Sequence, residues 1–533
     1  MLKTGMTIVS FIYAKIVKIL EKEFVSCDFY NKTCNSPLMF QMENQGASYH
    51  HILKYTGIFG GVEGINILVG IIRNKLVALI LGPNGMGLLS LFNSTIKLLS
   101  DSTNFGIAMS GVKQISEDYD RQEEKARLEA SVSLIRSWAF LTALLGMVLC
   151  VVLSPLLNWW TFNWGDHTLH FIFLSPAVAL MAVTGGEAAI LKGLRQLKSL
   201  ARISVYNVIG ALITSVPIYY FYGESGIVPS LLVMALIQML LTIGVSYRLC
   251  PPRLSFNRRF LRKGMNMIKL GGAFVLAGIM GSGAEFFIRS FLNNTGSLET
   301  VGLYNAGYMI IITYAGMVFS AMETDYFPRL SSIQGTGPSL NACVNRQIEV
   351  SVLLISPLLV ALMIAVPVLL PLLYSGEFVF AGDMIQVAVF AMYLRAVTLP
   401  IAYLPLAKGD SLSYLLMEAV YDIAVVLLVV FGFKAWGLRG AGLALTLASV
   451  LELMVLCVYM HWKYGYRLGS LALRYASVQF LLGLISYGVV CQDNPVVYWL
   501  SGGALFGVSL CYSVAVLKSK THLWESLKRR IKR

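Results

Sequence analysis

Long apolar runs recur along the chain from residue 55 to residue 517, separated by short polar or glycine-containing stretches. A bilayer-spanning helix needs roughly 20 mainly apolar residues, because every backbone amide must be hydrogen-bonded within the segment. The pattern therefore predicts an all-α integral membrane protein with about fourteen spans. The predicted spans are 55–82, 84–111, 132–156, 168–191, 203–222, 227–248, 267–292, 301–322, 349–374, 383–407, 411–432, 440–462, 474–491 and 496–517.

Composition supports the same class. Of 533 residues, 56% are hydrophobic and 13% are charged, and the mean hydropathy is +0.69. Soluble proteins carry about 25% charged residues, so this chain lacks the polar surface that a soluble enzyme presents to water.

The net charge of +14 would suit either nucleic acid or an anionic membrane surface. The distribution of this charge distinguishes the two, because Lys and Arg are concentrated in every second connecting segment. They are concentrated in 1–54, 112–136, 192–202, 248–266 and the tail from Lys518, and they are absent from 83–85, 157–167, 223–226 and 293–300. One outer loop, with Lys434 and Arg439, breaks the alternation. Positive loops stay cytoplasmic. We therefore predict two cytoplasmic termini, an even number of spans and no nucleic-acid partner.

Other kinds of chemistry have no sequence support. The eight cysteines form no C-x-x-C pair, and the six histidines show no metal-ligand spacing. No phosphate-binding loop of the G-x-x-x-x-G-K-[ST] type occurs, so ATP is not expected to drive the protein directly. We predict no cofactor, no metal and no catalytic residue.

Residues 1–53 form an extension of different character. The stretch 6–20, MTIVSFIYAKIVKIL, is too short and too basic to span, which suits an interfacial amphipathic helix. The alternative is a dispensable, or even untranslated, segment, since Met42 opens a polar stretch that leads directly into the first span. The sequence leaves both interpretations open.

An internal repeat of about 215 residues relates the first six spans to the next six. The matched positions are Lys54 and Lys269, Gly57 and Gly272, Arg73 and Arg289, Gly87 and Gly302, Lys113–Ser116 and Pro328–Ser331, Lys192–Gly193 and Lys408–Gly409, Tyr206–Asn207 and Tyr421–Asp422, and Gly223 with Gly226 and Gly437 with Gly440. Six spans separate equivalent positions, so the halves have the same orientation and are related by an axis along the membrane normal.

The repeat predicts two pseudo-symmetric six-helix lobes around a central cleft. We assign 54–250 to an N-lobe and 251–465 to a C-lobe. Residues 466–517 are two additional spans, and 518–533 form a basic cytoplasmic tail.

Two segments carry a family resemblance. The run 57-GIFGGVEGINILVGIIRNKLVALILGPNGMGLLSLFNS-94 and its partner 326-YFPRLSSI-333 resemble the polysaccharide transporters of the multidrug/oligosaccharidyl-lipid/polysaccharide (MOP) flippase superfamily. Within it, the likeness is to Wzx-type O-antigen and related lipid-linked oligosaccharide flippases. It covers roughly residues 50–515. The resemblance implies a bacterial inner-membrane protein of lipopolysaccharide or related polysaccharide biosynthesis. It also implies movement of an undecaprenyl-diphosphate-linked glycan from the cytoplasmic to the periplasmic leaflet.

Cations inside the predicted spans are the candidate substrate-binding residues. Each costs about 2.5–3.5 kcal/mol at a helix centre, so it needs a partner or a purpose. Arg73, Lys75 and Arg395 have no acid near them on their own helices, and a guanidinium matches the oxygens of a diphosphate. The alternative is structural packing or snorkelling to the interface. Lys97 and Arg289 have acids four positions away, Asp101 and Glu285, so each pair could instead neutralise itself.

Intramembrane acids are candidates for ion coupling. A buried carboxyl can carry a proton, so exchange with H⁺ or Na⁺ is chemically feasible. Glu285 and Asp422 align with marked repeat positions, and Asp101 lies beside Lys97. Other acids in or near spans are Glu63, Glu187, Glu323, Asp325, Glu418 and Glu452, and candidate sugar-contacting residues are Tyr304, Asn305, Tyr308, Tyr393 and Tyr403.

We therefore expect a lipid-linked oligosaccharide flippase that works by alternating access among membrane lipids. A polymerase and glycosyltransferases of the same pathway would be its partners. A lipid II flippase remains an alternative, and an ion-coupled multidrug exporter or a membrane glycan polymerase or ligase are weaker ones. A polymerase needs a large external loop with catalytic groups, whereas the longest predicted external loop, 157–167, contains neither Arg nor Glu. The sequence does not determine the glycan, the coupling ion or the oligomeric state.

Overall fold

The computed structural model describes residues 45–120, 125–255, 257–333 and 335–520, and these contain helices and no strand. The helices are α1 Gln45–Thr103, α2 Ile107–Asp120, α3 Lys125–Thr161, α4 Thr168–Gly193, α5 Leu197–Tyr222, α6 Ile227–Leu249, α7 Arg258–Thr295, α8 Leu298–Tyr308, α9 Met317–Ser331, α10 Pro338–Leu373, α11 Gly382–Ala407, α12 Ser411–Tyr464, α13 Ser470–Val490 and α14 Pro495–Lys520. A π-helix, Met309–Ala315, joins α8 to α9, and 3₁₀ turns occupy Gly223–Gly226 and Gly376–Ala381.

Ten stretches of the described residues are long and apolar enough to cross a membrane. Three of them contain a backbone break: Gly64–Thr103 at Gly82, Leu197–Leu249 at Gly223–Gly226, and Ser411–Tyr464 at Trp436–Gly437. The prediction of an all-α, multi-pass membrane protein is confirmed, whereas the number fourteen stays a prediction.

The breaks occur where backbone chemistry interrupts a helix. Gly82 has φ 62°, and it precedes Pro83, which lacks an amide hydrogen and disfavours helical geometry in the residue before it. Gly223 and Gly437, a predicted repeat pair, adopt nearly the same conformation, with φ 55° and ψ −134° in one and φ 58° and ψ −143° in the other. Residues at equivalent repeat positions thus make equivalent turns.

A second repeat pair, Gly87 and Gly302, forms a reciprocal contact between α1 and α8. A Cβ on Gly87 would lie 2.0 Å from the carbonyl oxygen of Leu298, and a Cβ on Gly302 would lie 2.0 Å from that of Pro83. Because residues 83 and 298 are also separated by the repeat distance, each half offers the same atoms to the other. Such a self-complementary contact is what a two-fold axis produces, and it supports the proposed pair of lobes.

Two predicted spans are less regular than the hydropathy suggests. The predicted span 84–111 is interrupted, since α1 ends at Thr103 and α2 begins at Ile107, with Phe105 and Gly106 at positive φ. The predicted span 301–322 changes to π-helix at Met309–Ala315. Hydropathy reports the apolar length of a segment and does not report a change in backbone hydrogen-bond register.

The last two helices, α13 and α14, pack on α10 and on each other. Between them, the fully buried Gln479 accepts a hydrogen bond from the Ser509 hydroxyl (2.7 Å) and donates to the Ser513 hydroxyl (2.8 Å). Polar side chains that satisfy each other join helices where no water competes for them. These two helices lie outside the predicted repeat.

Several predictions lie outside the described residues. They are the amphipathic stretch 6–20, the rest of the extension up to residue 44, the basic tail from residue 521, and the side chains of Glu63, Glu323 and Asp325. The predicted outer end of the molecule is the end that carries residues 83–85, 157–167 and 293–300.

Candidate functional site

A polar network joins α1 of the proposed N-lobe to α7 of the proposed C-lobe. The Lys97 ammonium lies 2.9 Å from the Glu285 carboxylate, and the two side chains are 51% and 26% exposed. This salt bridge between helices takes the place of the pairing within α1 that the spacing of Lys97 and Asp101 allowed. About half of the Lys97 side chain is exposed, although it lies within a stretch that is apolar enough to span a membrane.

Arg289 continues the network on α7. Its guanidinium donates to the hydroxyl of Ser90 on α1 (2.8 Å) and to the side-chain oxygen of Asn305 on α8 (3.3 Å). The predicted contact with Glu285 is present at 3.3 Å, and the Tyr308 ring lies 5.5 Å from the guanidinium carbon. Arg289 therefore connects three helices at the boundary between the proposed lobes.

Arg395 lies on α11, whose membrane-spanning stretch is the most deeply buried of the ten. Tyr421, Glu452, Tyr308 and Glu418 surround it electrostatically, and all of them belong to other helices. Among the described residues no carboxylate lies within 4.0 Å of its guanidinium. The guanidinium is thus held near negative groups without a direct ion pair.

Asp422 is 9% exposed and lies at the same boundary. Its Oδ2 atom has no hydrogen-bond partner among the described residues and lies 3.7 Å from the position of a Cβ on Gly281 of α7. Glu418, Glu285 and Lys97 are its electrostatic neighbours, and Asp101 in turn neighbours Lys97, Ser282 and Glu285. The three predicted ion-coupling acids therefore share one electrostatic environment with Lys97.

Two predicted cations lie elsewhere. Arg73 donates to the Ser215 hydroxyl (3.0 Å) on α5 and contacts the Met234 sulfur (3.2 Å) on α6, so it lies inside the proposed N-lobe. Lys75 donates to the carbonyl oxygen of Pro371 on α10. The structure brings Lys97, Arg289 and Arg395 towards one network and separates Arg73 and Lys75 from it.

The candidate sugar-contacting residues also divide. Tyr304 is 1% exposed, and Tyr393 packs against Gly483 of α13 with its hydroxyl donating to the Ser356 carbonyl oxygen (3.3 Å). Tyr308 and Asn305 instead contact Arg289. Tyr304 and Tyr393 are thus parts of the packed interior.

Sequence reasoning missed a buried ion pair. Arg136 on α3 and Glu187 on α4 meet at 2.7 Å, and each side chain is 3% exposed. Ser246 hydrogen-bonds to both, and Arg136 also donates to the carbonyl oxygens of Cys250 (3.0 Å) and Pro251 (2.9 Å). An arginine and a glutamate in adjacent predicted spans were the available signal, although one sequence cannot show that two such residues face each other. Glu187, considered above with the coupling acids, is fully paired.

The described residues contain no group of three or more His, Cys, Asp or Glu side chains able to hold a metal ion. The site offers cations, carboxylates and hydroxyls at a helix boundary, which suits binding and movement of a charged ligand.

Comparison of the sequence with models of protein families identifies the family. Residues 52–334, more than half of the chain, match the family described as polysaccharide biosynthesis protein. The chain belongs to this family. A relative from Escherichia coli (strain K12), described as lipid III flippase, is 22% identical over 412 residues, which is 75% of this chain and 96% of the relative.

Solved structures show the same fold. One, described as lipid II flippase MurJ in an inward closed conformation, superposes with a TM-score of 0.57 and 13% identity, and covers 86% of this chain and 99% of that chain. An inward-facing multidrug resistance MATE family transporter of the MOP superfamily gives a TM-score of 0.54 and 14% identity, over 80% and 96%. The predictions of a MOP-type flippase and of a transporter rather than an enzyme are confirmed.

Proposed function

We propose that this transporter moves an undecaprenyl-diphosphate-linked oligosaccharide, the O-antigen repeat unit or a related glycan, from the cytoplasmic to the periplasmic leaflet by alternating access. The proposal places it in the bacterial inner membrane with both termini cytoplasmic. Arg395, which lies among membrane helices without a carboxylate within 4.0 Å in the described residues, is the observation that carries it. A guanidinium in that position is ready to pair with phosphate oxygens.

Lys97 and Arg289 support the same proposal from the opposite side of the network. Lys97 is half exposed and, within the described part of the chain, forms one salt bridge, to Glu285, so an arriving diphosphate competes with that carboxylate. Arg289 is anchored by Ser90, Asn305 and Glu285, which suits it to orient the network. Arg73 and Lys75 remain proposed binding residues for a part of the substrate farther from these three cations.

Asp422 supports a coupled mechanism. A buried carboxylate oxygen without a hydrogen-bond partner is costly when charged, and protonation removes that cost. We propose that Asp422, Glu285 and Asp101 couple movement of the substrate to movement of H⁺ or Na⁺. Binding of the diphosphate and binding of the ion would each alter the charge around Lys97.

The test is Arg395→Ala in a strain that depends on this chain for its surface glycan. We expect normal insertion and at least a tenfold loss of surface glycan, the effect of removing one charge-assisted phosphate contact. Arg474→Ala is the matched control, because Arg474 is an exposed arginine on α13. Arg73→Ala tests the second proposed binding residue in the same assay.

Three outcomes bear on the substrate. Loss of the glycan with normal cell-wall synthesis supports the oligosaccharide. Loss of cell-wall synthesis would instead indicate lipid II, and full glycan export by both arginine variants would reject the role of the cations.

A further inference from the structure

The two proposed lobes exchange helix caps at the predicted outer end. Helix α3 ends at Thr161, and the last carbonyls of a helix lack partners within it. Two of these carbonyls are capped from the other lobe. The Asn293 side-chain amide donates to the Thr161 oxygen (2.7 Å), and that of Asn294 donates to the Trp160 oxygen (2.7 Å).

The exchange runs in the other direction as well. Helix α7 ends at Thr295, and the Asn163 side-chain amide, from the loop after α3, donates to the backbone oxygen of Asn294 (3.3 Å). Each helix end thus accepts at least one hydrogen bond from a side chain of the opposite lobe. The Trp160 and Phe287 rings, 5.8 Å apart, flank the contact.

The Gly87–Gly302 crossing reinforces this closure. The two helices approach this closely only because neither residue has a Cβ, since a Cβ on either one would overlap a backbone carbonyl oxygen. Lys75 adds a third contact between the lobes through the Pro371 carbonyl. The part of α1 around its break at Gly82 and the outer end of α3 are therefore each fixed to the C-lobe by contacts with backbone atoms.

Hydrogen bonds between side-chain amides and backbone carbonyls suit a contact between the lobes that must separate. The Asn163 and Asn294 bonds are exposed, so water replaces their partners at little net cost. The Asn293–Thr161 bond is buried, and its two groups become hydrated as the contact separates. A buried ion pair in the same place would resist opening, because separation would leave charges unpaired.

We propose that Asn163, Asn293 and Asn294, with the carbonyls that they cap and the Gly87–Gly302 crossing, form an outer clasp. The clasp closes the cleft while substrate enters from the other end and separates when the substrate is released. The proposal rests on the alternating access proposed above, and it identifies which atoms must part.

Asn163→Cys combined with Asn294→Cys, in full-length protein whose native cysteines are replaced, tests the clasp. In membranes, a short bifunctional thiol reagent should cross-link the pair and stop glycan export, and a cleavable reagent should allow recovery. For each single cysteine variant, the reagent should leave export at the rate of the same untreated variant. A cross-linked protein that still exports at the parent rate would overturn the proposal.

Gly302→Ala probes the crossing without depending on any substrate. The added methyl meets the Pro83 oxygen, so we expect the cross-linking yield of the cysteine pair to fall about tenfold, as overpacking favours separation. Gly278→Ala is the control, because no atom lies within 4 Å of its Cβ position. Asn293→Ala should also lower the yield, and it adds no volume if Gly302→Ala fails to fold.

The results separate this inference from the proposed function. If the pair cross-links and both variants lower the yield, but the parent moves no lipid-linked glycan, the clasp stands and the assigned substrate is wrong. If neither folded variant changes the yield, the clasp is wrong whatever the substrate is.

Discussion

Two charged clusters lie among the membrane helices, and they differ in how completely their charges are paired. In the proposed N-lobe, Arg136 and Glu187 form a two-pronged contact, with 2.7 Å from Nε and 3.2 Å from the second guanidinium nitrogen, and both side chains are 3% exposed. At the boundary between the proposed lobes, Lys97 is 51% exposed and has one carboxylate partner among the residues that the structure describes. Among the same residues, one oxygen of the buried Asp422 has no hydrogen-bond partner.

The difference indicates different roles. The remaining hydrogen bonds of Arg136 go to Ser246 and to two backbone carbonyls after α6, so the first cluster fixes α3, α4 and the start of the connection to α7. Its charges have nothing left to offer a ligand. The boundary cluster keeps unused donors and acceptors, which is what a site that binds and releases a charged substrate requires.

The largest predicted effect is on the paired cluster. Glu187→Ala leaves Arg136 buried without its carboxylate, so we expect a loss of about 3–5 kcal/mol in unfolding free energy. Thermal unfolding in detergent and the amount of membrane-inserted protein would measure it. Glu129→Ala is the control, because the Glu129–Arg253 pair is exposed, at 50% and 68%, and is worth about 0–1 kcal/mol. Equal losses in the two variants would remove the distinction between the clusters.

A smaller effect on stability and a specific effect on transport are expected at Lys97. Lys97→Gln should change the unfolding free energy by less than about 1 kcal/mol, because the Lys97–Glu285 pair is half exposed. Glycan export should nevertheless fall about tenfold, since one cation facing the diphosphate is lost, and Lys97→Arg should retain most of it. A large drop in melting temperature with normal export would give Lys97 the structural role of Arg136.

An effect on stability of similar size and opposite sign is expected at Asp422. Asp422→Asn removes a charge whose Oδ2 lacks a partner, so the protein should gain about 1 kcal/mol or remain unchanged. Export measured with and without an imposed ion gradient should lose its response to the gradient. Asp383→Asn, an exposed acid at the start of α11, should keep that response. A destabilised Asp422→Asn protein with normal coupling would contradict the proposal.

Much of the architecture could be predicted, because local chemistry sets it. Apolar length indicated the membrane helices, and the predicted gaps between spans after residue 82, at 223–226 and at 433–439 coincide with breaks in the structure. The π-helix at Met309–Ala315 and the gap after Thr103 were not predicted, since they depend on how the backbone is packed from outside.

The candidate site was only partly predictable. The spacing of Glu285 and Arg289 correctly predicted their contact, because both residues lie on one face of one helix. The partner of Lys97 was not predictable, since Glu285 is 188 positions away and reaches it only through the packing of α7 against α1. Arg136 and Glu187 were not recognised as a pair for the same reason.

By itself the sequence determined that this protein lies in a membrane and where several of its helices break, because these properties follow from apolar length and backbone chemistry along the chain. The tertiary structure alone decided which charges are neutralised and which remain available. That outcome depends on how each helix is rotated and on which neighbour it faces. A shift of a few ångströms between a guanidinium and a carboxylate decides whether they form an ion pair or stay available to a ligand.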